Sequence, residues 1–274
     1  MAKICLDAGH YSNYNPSPAL PEYTEAETMW KLHLLLGEEL EKRGVEVIYT
    51  RAEQERDMAL TQRGRVAKGC DLFLSLHSNA VGDEVNEEVD YPVSYVGIDG
   101  RSDKIGSALA QCVERVMNTR QKGRIEKRTG SNGDYYGVLR GAAQVSVAAL
   151  ILEHSFHTNT EMTRWLLNYD NLKRLATAEA EVIAQFFGIE EEEMRYKKLQ
   201  DVPNNWDGEG NPRATIEKLM NAGILGGDGS DKTGNDDVID LSHDTVRTLI
   251  LLYRGGGFDR ALAAKGFDPA VEAR

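Results

Sequence analysis

Cysteine is scarce in this chain. Only Cys5, Cys70 and Cys112 occur in 274 residues, and an odd number at irregular spacing excludes both a disulfide framework and a Cys-x-x-Cys metal site. Cys5 and Cys70 sit in or beside apolar runs, so buried free thiols are expected. Positive charge is in deficit. The 32 Lys and Arg against 44 Asp and Glu leave a net charge of −12, which argues against a general nucleic-acid binder, whose face would be basic. No apolar run is long enough to span a bilayer. The first residues, MAKICLDAGH, enter a strand at once, without a basic segment and a long apolar one behind it, so no signal peptide is expected. Local catalytic signatures are missing too. There is no HExxH, no GxSxG and no GxxxxGK[ST], which removes a helix-borne zinc pair, a serine elbow and a phosphate loop.

What is present is a repeated pattern. Leu72–Ala80 reads LFLSLHSNA and its apolar run stops at His77. Lys3–His10, KICLDAGH, ends in a Gly turn and His10. Ala148–Asn159, AALILEHSFHTN, ends in Glu153, His154, His157 and Asn159. A short apolar run closing on polar residues is a buried strand reaching the carboxyl edge of an α/β sheet, and open α/β sheets bind their ligands at that edge.

The intervening segments alternate helix and strand. Glu25–Arg43 is a helix, with Met29, Leu32, Leu35, Leu36 and Leu40 at helical spacing and Gly44 as its terminator. Val45–Tyr49 reads as a strand and Leu60–Lys68 as a shorter helix. This βαβαβ order predicts an α/β fold, a mostly parallel sheet flanked by helices. Farther along, Tyr91–Val96 reads as an edge strand, Ser102–Met117 as a helix and Asn118–Asp134 as a mobile surface loop. Tyr135–Arg140 and Val147–Glu153 read as strands. Glu161–Phe187 reads as one long helix turning Leu166, Leu175, Ala176, Val182, Ile183 and Phe186 inward, and closes a first domain at residues 1–189. Residues 190–274 form a linker, opening on the solvated run Glu190–Glu193, and a small mainly helical module. Its expected parts are a helix at Ala214–Ala222, a Gly/Asp-rich turn at Gly223–Asp237 and a helix at Ser242–Tyr253 capped by Ser242. Trp206 and Tyr253 are its expected core.

A hydrolytic zinc takes three protein ligands and a water, and a separate carboxylate takes the water's proton. The strand ends offer His10, His77 and Glu153. Glu25 or Glu27, opening the helix after the first strand, supplies another ligand at the same edge. His33 inside that helix reads as a surface or boundary residue and His243 as exposed. His154 and His157 are balanced between packing and support of the site.

Taken in order, LDAGH at His10, Glu25 ahead of a helix ending EKRG, VEVIYTR at Val45–Arg51, LTQR with AKG at Leu60–Gly69, LFLSLHSNA and LEHSFHTN resemble the zinc-dependent N-acetylmuramoyl-L-alanine amidases of the Amidase_3 type, over roughly residues 2–187. The resemblance implies an α/β sheet flanked by helices, Zn2+ as cofactor and peptidoglycan as substrate. The bond cut would be the amide between the lactyl group of N-acetylmuramic acid and L-alanine of the stem peptide. Carried over residue by residue, it implies His10, Glu25 and His77 as metal ligands and Glu153 as the catalytic carboxylate. Glu25 is preferred to Glu27 because its distances to Trp30 and Gly44 resemble the family's spacing. Arg140 or the Arg124–Arg128 stretch becomes a candidate for meeting a stem-peptide carboxylate. The chain departs from the pattern twice. The loop after the first strand contains proline rather than many glycines, and HSFHTN follows Glu153 where a small or apolar residue is usual.

The tail carries a second resemblance. LQDVPNNW at Leu199–Trp206, IEKLMNAGILGGDG at Ile216–Gly229 and DLSHDTVRTLILLYR at Asp240–Arg254 resemble one S-layer-homology-type module. This implies binding to a secondary cell-wall polymer, although such modules usually come in threes, and a packing or oligomerisation unit is the other reading. Without a signal peptide, the whole resembles an endolysin, made in the cytoplasm and acting at the bacterial cell wall. The rivals are a zinc peptidase acting within the stem peptide and an inactive wall-binding protein.

Overall fold

The computed structural model describes residues 1–189, 195–205, 211–226 and 238–270. They fall into two compact units, Met1–Glu191 and Glu192–Arg274. Trp206, Glu190–Glu193 and most of the Gly/Asp-rich turn lie outside the described residues.

The first unit runs β1 (Lys3–Ala8), α1 (Glu25–Lys42), β2 (Glu46–Tyr49), α2 (Leu60–Val66), β3 (Leu72–Asn79), β4 (Val93–Val96), α3 (Asp103–Met117), β5 (Arg124–Glu126), the small hairpin β6 (Thr129–Gly130) and β7 (Gly133–Asp134), α4 (Gly137–Gln144), β8 (Ala148–Phe156), α5 (Thr160–Leu167) and α6 (Tyr169–Phe186). Six strands form one sheet in the order β2-β1-β3-β8-β4-β5. All neighbours are parallel except β4 and β8. Alternation along the strands explains how both faces are covered. Ile4, Leu6, Leu72, Leu74, Leu76, Leu150 and Leu152 pack with the apolar faces of α1, α3 and α6. Cys5, Phe73, Ala149 and Ile151 point the other way, into a layer with Ala67, Val138, Leu139 and Ala142 from the α2 and α4 segments. The three cysteines are buried and free, as expected of Cys5 and Cys70.

Several elements depart from the sequence expectation. β4 lies inside the sheet, between β8 and β5. The stretch expected as a mobile loop supplies β5 and the β6–β7 hairpin. Tyr135–Arg140 is not a strand. It opens helix α4, whose glycines let it lie against α2: a Cβ on Gly141 would sit 2.2 Å from the Thr61 carbonyl, and one on Gly64 would sit 2.0 Å from that of Val138. The expected long helix is two. Asn168 leaves helical geometry, with ψ 117°, and its side chain accepts from the amides of Asp170 and Asn171 to start α6. Phe186 is exposed rather than inward. His33 is fully buried, packed beside Trp30 and edge-on to Tyr49.

The second unit has β9 (Arg195–Lys198), α7 (Pro212–Asn221), β10 (Val238–Ser242), α8 (His243–Arg254) and α9 (Asp259–Ala264). β9 and β10 pair antiparallel, a ribbon too short to show in the pattern. Ser242 caps α8 as expected, accepting from the Thr245 amide. Tyr196, Leu199, Val202, Ile216, Ile239, Val246 and Ile250 form its core, and Tyr253 packs on a second cluster around Leu219 and Leu262. His243 is half-buried, its Nδ1 2.9 Å from the Tyr196 hydroxyl.

Candidate active site

The carboxyl ends of β1, β3 and β8 are neighbours. Ala8 pairs with Leu76, and His77 pairs with Glu153. β1 is followed by Gly9, whose absent side chain leaves room for the His77 ring. A Cβ there would lie 2.5–2.8 Å from three ring atoms. His10 follows in the left-handed region, at φ 59°. Two buried arginines hold this turn. Arg63 donates to the carbonyls of His10 (2.8 Å), Ala8 (3.3 Å) and Met58 (3.2 Å), and Arg51 donates to that of Ala8 (2.6 Å). Asp7 lies beneath, accepting from Thr50 and Ser75 at 2.6 and 2.7 Å.

Glu25 is the first residue of α1, where the helix dipole favours a carboxylate. Its Oε1 lies 2.8 Å from His77 Nδ1 and accepts from the Ser78 amide at 3.0 Å. Its Oε2 lies 3.1 Å from His10 Nε2 and accepts from Asn15 Nδ2 at 2.7 Å. Burial pushes the Glu25 carboxyl up, but the hydrogen bonds and charges of His10 and His77 outweigh it and hold it well below the usual carboxylate range. One ligand atom from each of His10, Glu25 and His77 lies within 4.8 Å of the others. Two imidazole nitrogens and one carboxylate oxygen are the donor set of a three-ligand zinc site with room for water, so these residues fit the metal. Glu27 is elsewhere: its carboxylate accepts from the Asn13 amide and Gln54.

Glu153 stands beside His77 on the adjacent strand and lines the same cavity. Its Oε2 is buried without a hydrogen-bond partner. Burial, then the charge of Glu25, push the Glu153 carboxyl up to about 8. Just past it β8 bulges, with Ser155 at φ 60° and the register moving from His77↔Glu153 to Asn79↔Phe156.

The two unassigned histidines do not line the cavity. His154 is fully buried. Its Nδ1 donates to the His77 carbonyl at 2.9 Å, and its Nε2 lies 2.7 Å from Glu179 of α6. A ring that donates at both nitrogens is an imidazolium. Burial opposes that charge, but the Glu179 carboxylate prevails and raises the pKa. His157 donates Nδ1 to the Ser78 carbonyl, and the Tyr23 hydroxyl meets Ser78 Oγ at 2.7 Å. Both histidines thus brace β3 at His77 and Ser78.

The cavity measures about 700 Å3 and is lined by His10, His77, Glu153, Tyr14, Tyr95 and Arg128 among others. Arg140 is turned into the carbonyls of Asp134 and Tyr135, and Arg124 stacks on Tyr91. Sequence reasoning missed Asn15, Arg51 and Arg63. The arginines sat in motifs noted above, but their targets are backbone carbonyls, which leave no trace in side-chain pattern.

Comparison with known proteins places the chain in a family and matches its fold. The family profile described as N-acetylmuramoyl-L-alanine amidase, Amidase_3, matches residues 4–185. The N-acetylmuramoyl-L-alanine amidase CwlM of Bacillus licheniformis is 26% identical over 205 residues, 73% of this chain and 74% of CwlM. Among solved structures, Cwp6 from Clostridium difficile superposes with a TM-score of 0.59 at 23% identity, over 67% of this chain and 29% of Cwp6. The catalytic domain of CwlV, an N-acetylmuramoyl-L-alanine amidase from Bacillus (Paenibacillus) polymyxa var. colistinus, does so at 0.58 and 19%, over 69% of this chain and all of that one. The chain belongs to the Amidase_3 family of N-acetylmuramoyl-L-alanine amidases.

Proposed function

We propose that this protein hydrolyses the amide between the lactyl group of N-acetylmuramic acid and L-alanine in peptidoglycan, with zinc held by His10, Glu25 and His77 and with Glu153 as the catalytic residue. The observation that carries this reading is the pairing of His77 with Glu153 at adjoining strand ends, where Glu153 keeps a partnerless buried oxygen in the cavity of the His10–Glu25–His77 cluster. Bound there, zinc would supply Lewis acidity, lowering the pKa of a water and polarising the scissile carbonyl. The protein supplies the rest. His10, Glu25 and His77 fix the position of the attack. The charge of a cation held beside it would favour the ionised form of Glu153, which would then take the water's proton at its partnerless Oε2 and return it to the leaving amine of L-alanine. The cavity walls would hold the substrate beside these groups.

The stretch 190–274, which holds the second unit, is proposed as a linker and accessory module that holds the enzyme to the wall through a secondary cell-wall polymer. The endolysin-like role, acting at the bacterial cell wall, belongs to the same proposal.

The test joins metal content to product identity. Wild type is expected to carry about one zinc per chain and to release intact stem peptides with an N-terminal L-alanine from Gram-positive sacculi, identified by mass. His77→Ala is expected to lose both metal and activity. Glu153→Gln is expected to keep zinc and lose about 10²–10⁴ in rate. Products cut inside the stem would replace the amidase reading with a peptidase, and an active metal-free enzyme would discard the site.

A further inference from the structure

One cation on the cavity wall spends a single side-chain hydrogen bond on the protein. Arg63, the other arginine there, lies buried against three backbone carbonyls. Arg128 is different. It sits between β5 and β6 with about half its side chain exposed, 47% by relative area. Its guanidinium lies 4.5 Å over the Tyr95 ring and 5.8 Å from that of Tyr136. Nη2 donates to the Tyr95 hydroxyl at 2.9 Å, and Glu126 approaches only to 3.8 Å. A guanidinium has five donors in a planar fork. Two tyrosine faces fix the plane of this one, so little entropy is lost when it grips a ligand. The remaining lining charges beside the reacting groups are acidic, Asp7, Asp57 and Glu153.

Resting on the amidase reading, we propose that Arg128 is a specificity-determining residue that receives the free α-carboxylate of the stem-peptide residue following L-alanine, so that the preferred substrate is a muramyl peptide whose second residue is an acid and not its amide. That carboxylate is one residue from the scissile bond, and a planar fork matches it with paired charge-assisted hydrogen bonds. An amide in its place offers one acceptor and turns an NH2 group toward the cation.

The experiment compares two soluble substrates, N-acetylmuramoyl-L-alanyl-D-glutamate and N-acetylmuramoyl-L-alanyl-D-isoglutamine, on zinc-loaded wild type, Arg128→Lys and Arg128→Gln. Wild type is expected to favour the acid by roughly 10–100-fold in kcat/KM, as suits one charge-assisted pair. Arg128→Gln should bring that ratio near one, chiefly by weakening the acid, and Arg128→Lys should fall between. Zinc content and Tm report that each variant is folded. A wild-type ratio near one, or equal losses on both substrates in Arg128→Gln, overturns the assignment while leaving the amidase standing. Hydrolysis of neither substrate by wild type, with walls also undigested, overturns the amidase reading itself.

Discussion

At the scale of single residues, the cluster depends on what is missing as well as what is there. Gly9 gives the His77 ring its seat, and any side chain at that position takes the same space. Gly9→Ala is therefore expected to weaken zinc affinity about 10–100-fold, the usual effect of disturbing the support of a metal ligand, while the fold persists. Competition with a chelator measures it, and unchanged affinity would show that the His77 ring has another place to go. His154 and Glu179 form a buried ion pair behind the His77 carbonyl. Removing one partner strands the other, so Glu179→Leu should cost about 3–5 kcal/mol. The sign of the pH dependence follows from the raised His154 pKa. The stability gained by charging His154 is fully present below its ordinary value of about 6.5 and is lost as pH rises through the higher folded value. The gap between wild type and Glu179→Leu in urea should thus narrow from pH 6 upward, and a gap independent of pH would mean that His154 is neutral in the pair. The choice between Glu25 and Glu27 also belongs to this scale. Residues two apart on a helix project about 200° from each other, so only one could face the strand ends. Helical period alone has no means of saying which, and the preference for Glu25 rested on the resemblance, since the rotation of α1 is set by Met29, Leu32 and Leu36 packing on the sheet.

At the scale of elements, the strand ends were legible and some neighbours were not. His10, His77 and Glu153 announced themselves because buried parallel strands are unbroken apolar runs, and the change to polar residues marks the edge. Tyr135–Arg140 misled because a short run of tyrosine, valine and leucine suits a strand or a buried helix equally. Its glycines decided for the helix, by allowing α4 to touch α2 backbone to backbone. Gly64→Ala is expected to force these helices apart and cost about 2–3 kcal/mol, as overpacking does, lowering Tm by roughly 5–10 °C. Because Arg63 precedes it and holds the His10 carbonyl, zinc affinity should fall together with Tm. A variant with native Tm would mean that α4 slides without strain. The single helix expected at Glu161–Phe187 failed for a local reason. Asn168 offers its side chain to two free amides, and a new cap competes with helix continuation.

At the scale of the whole molecule, the two units each have their own apolar core. Residues 1–191 alone are therefore expected to fold cooperatively and to hydrolyse soluble muramyl peptides at the full-length rate, with the loss confined to insoluble walls. Circular dichroism melting and the two substrates side by side check this. A fragment that is unfolded or inactive on soluble substrate would show that the second unit completes the first. Among the described residues no helix is long and apolar enough to cross a membrane. The acidic balance, the buried thiols, the α/β order and the three strand ends were determined by the sequence itself, because each is a local matter of composition or of period along the chain. The convergence of residues 10, 25, 77 and 153 was decided only by the tertiary structure. Register between β3 and β8, rotation of α1 and the bulge at Ser155 arise from packing between segments far apart in sequence, and no local pattern encodes that packing.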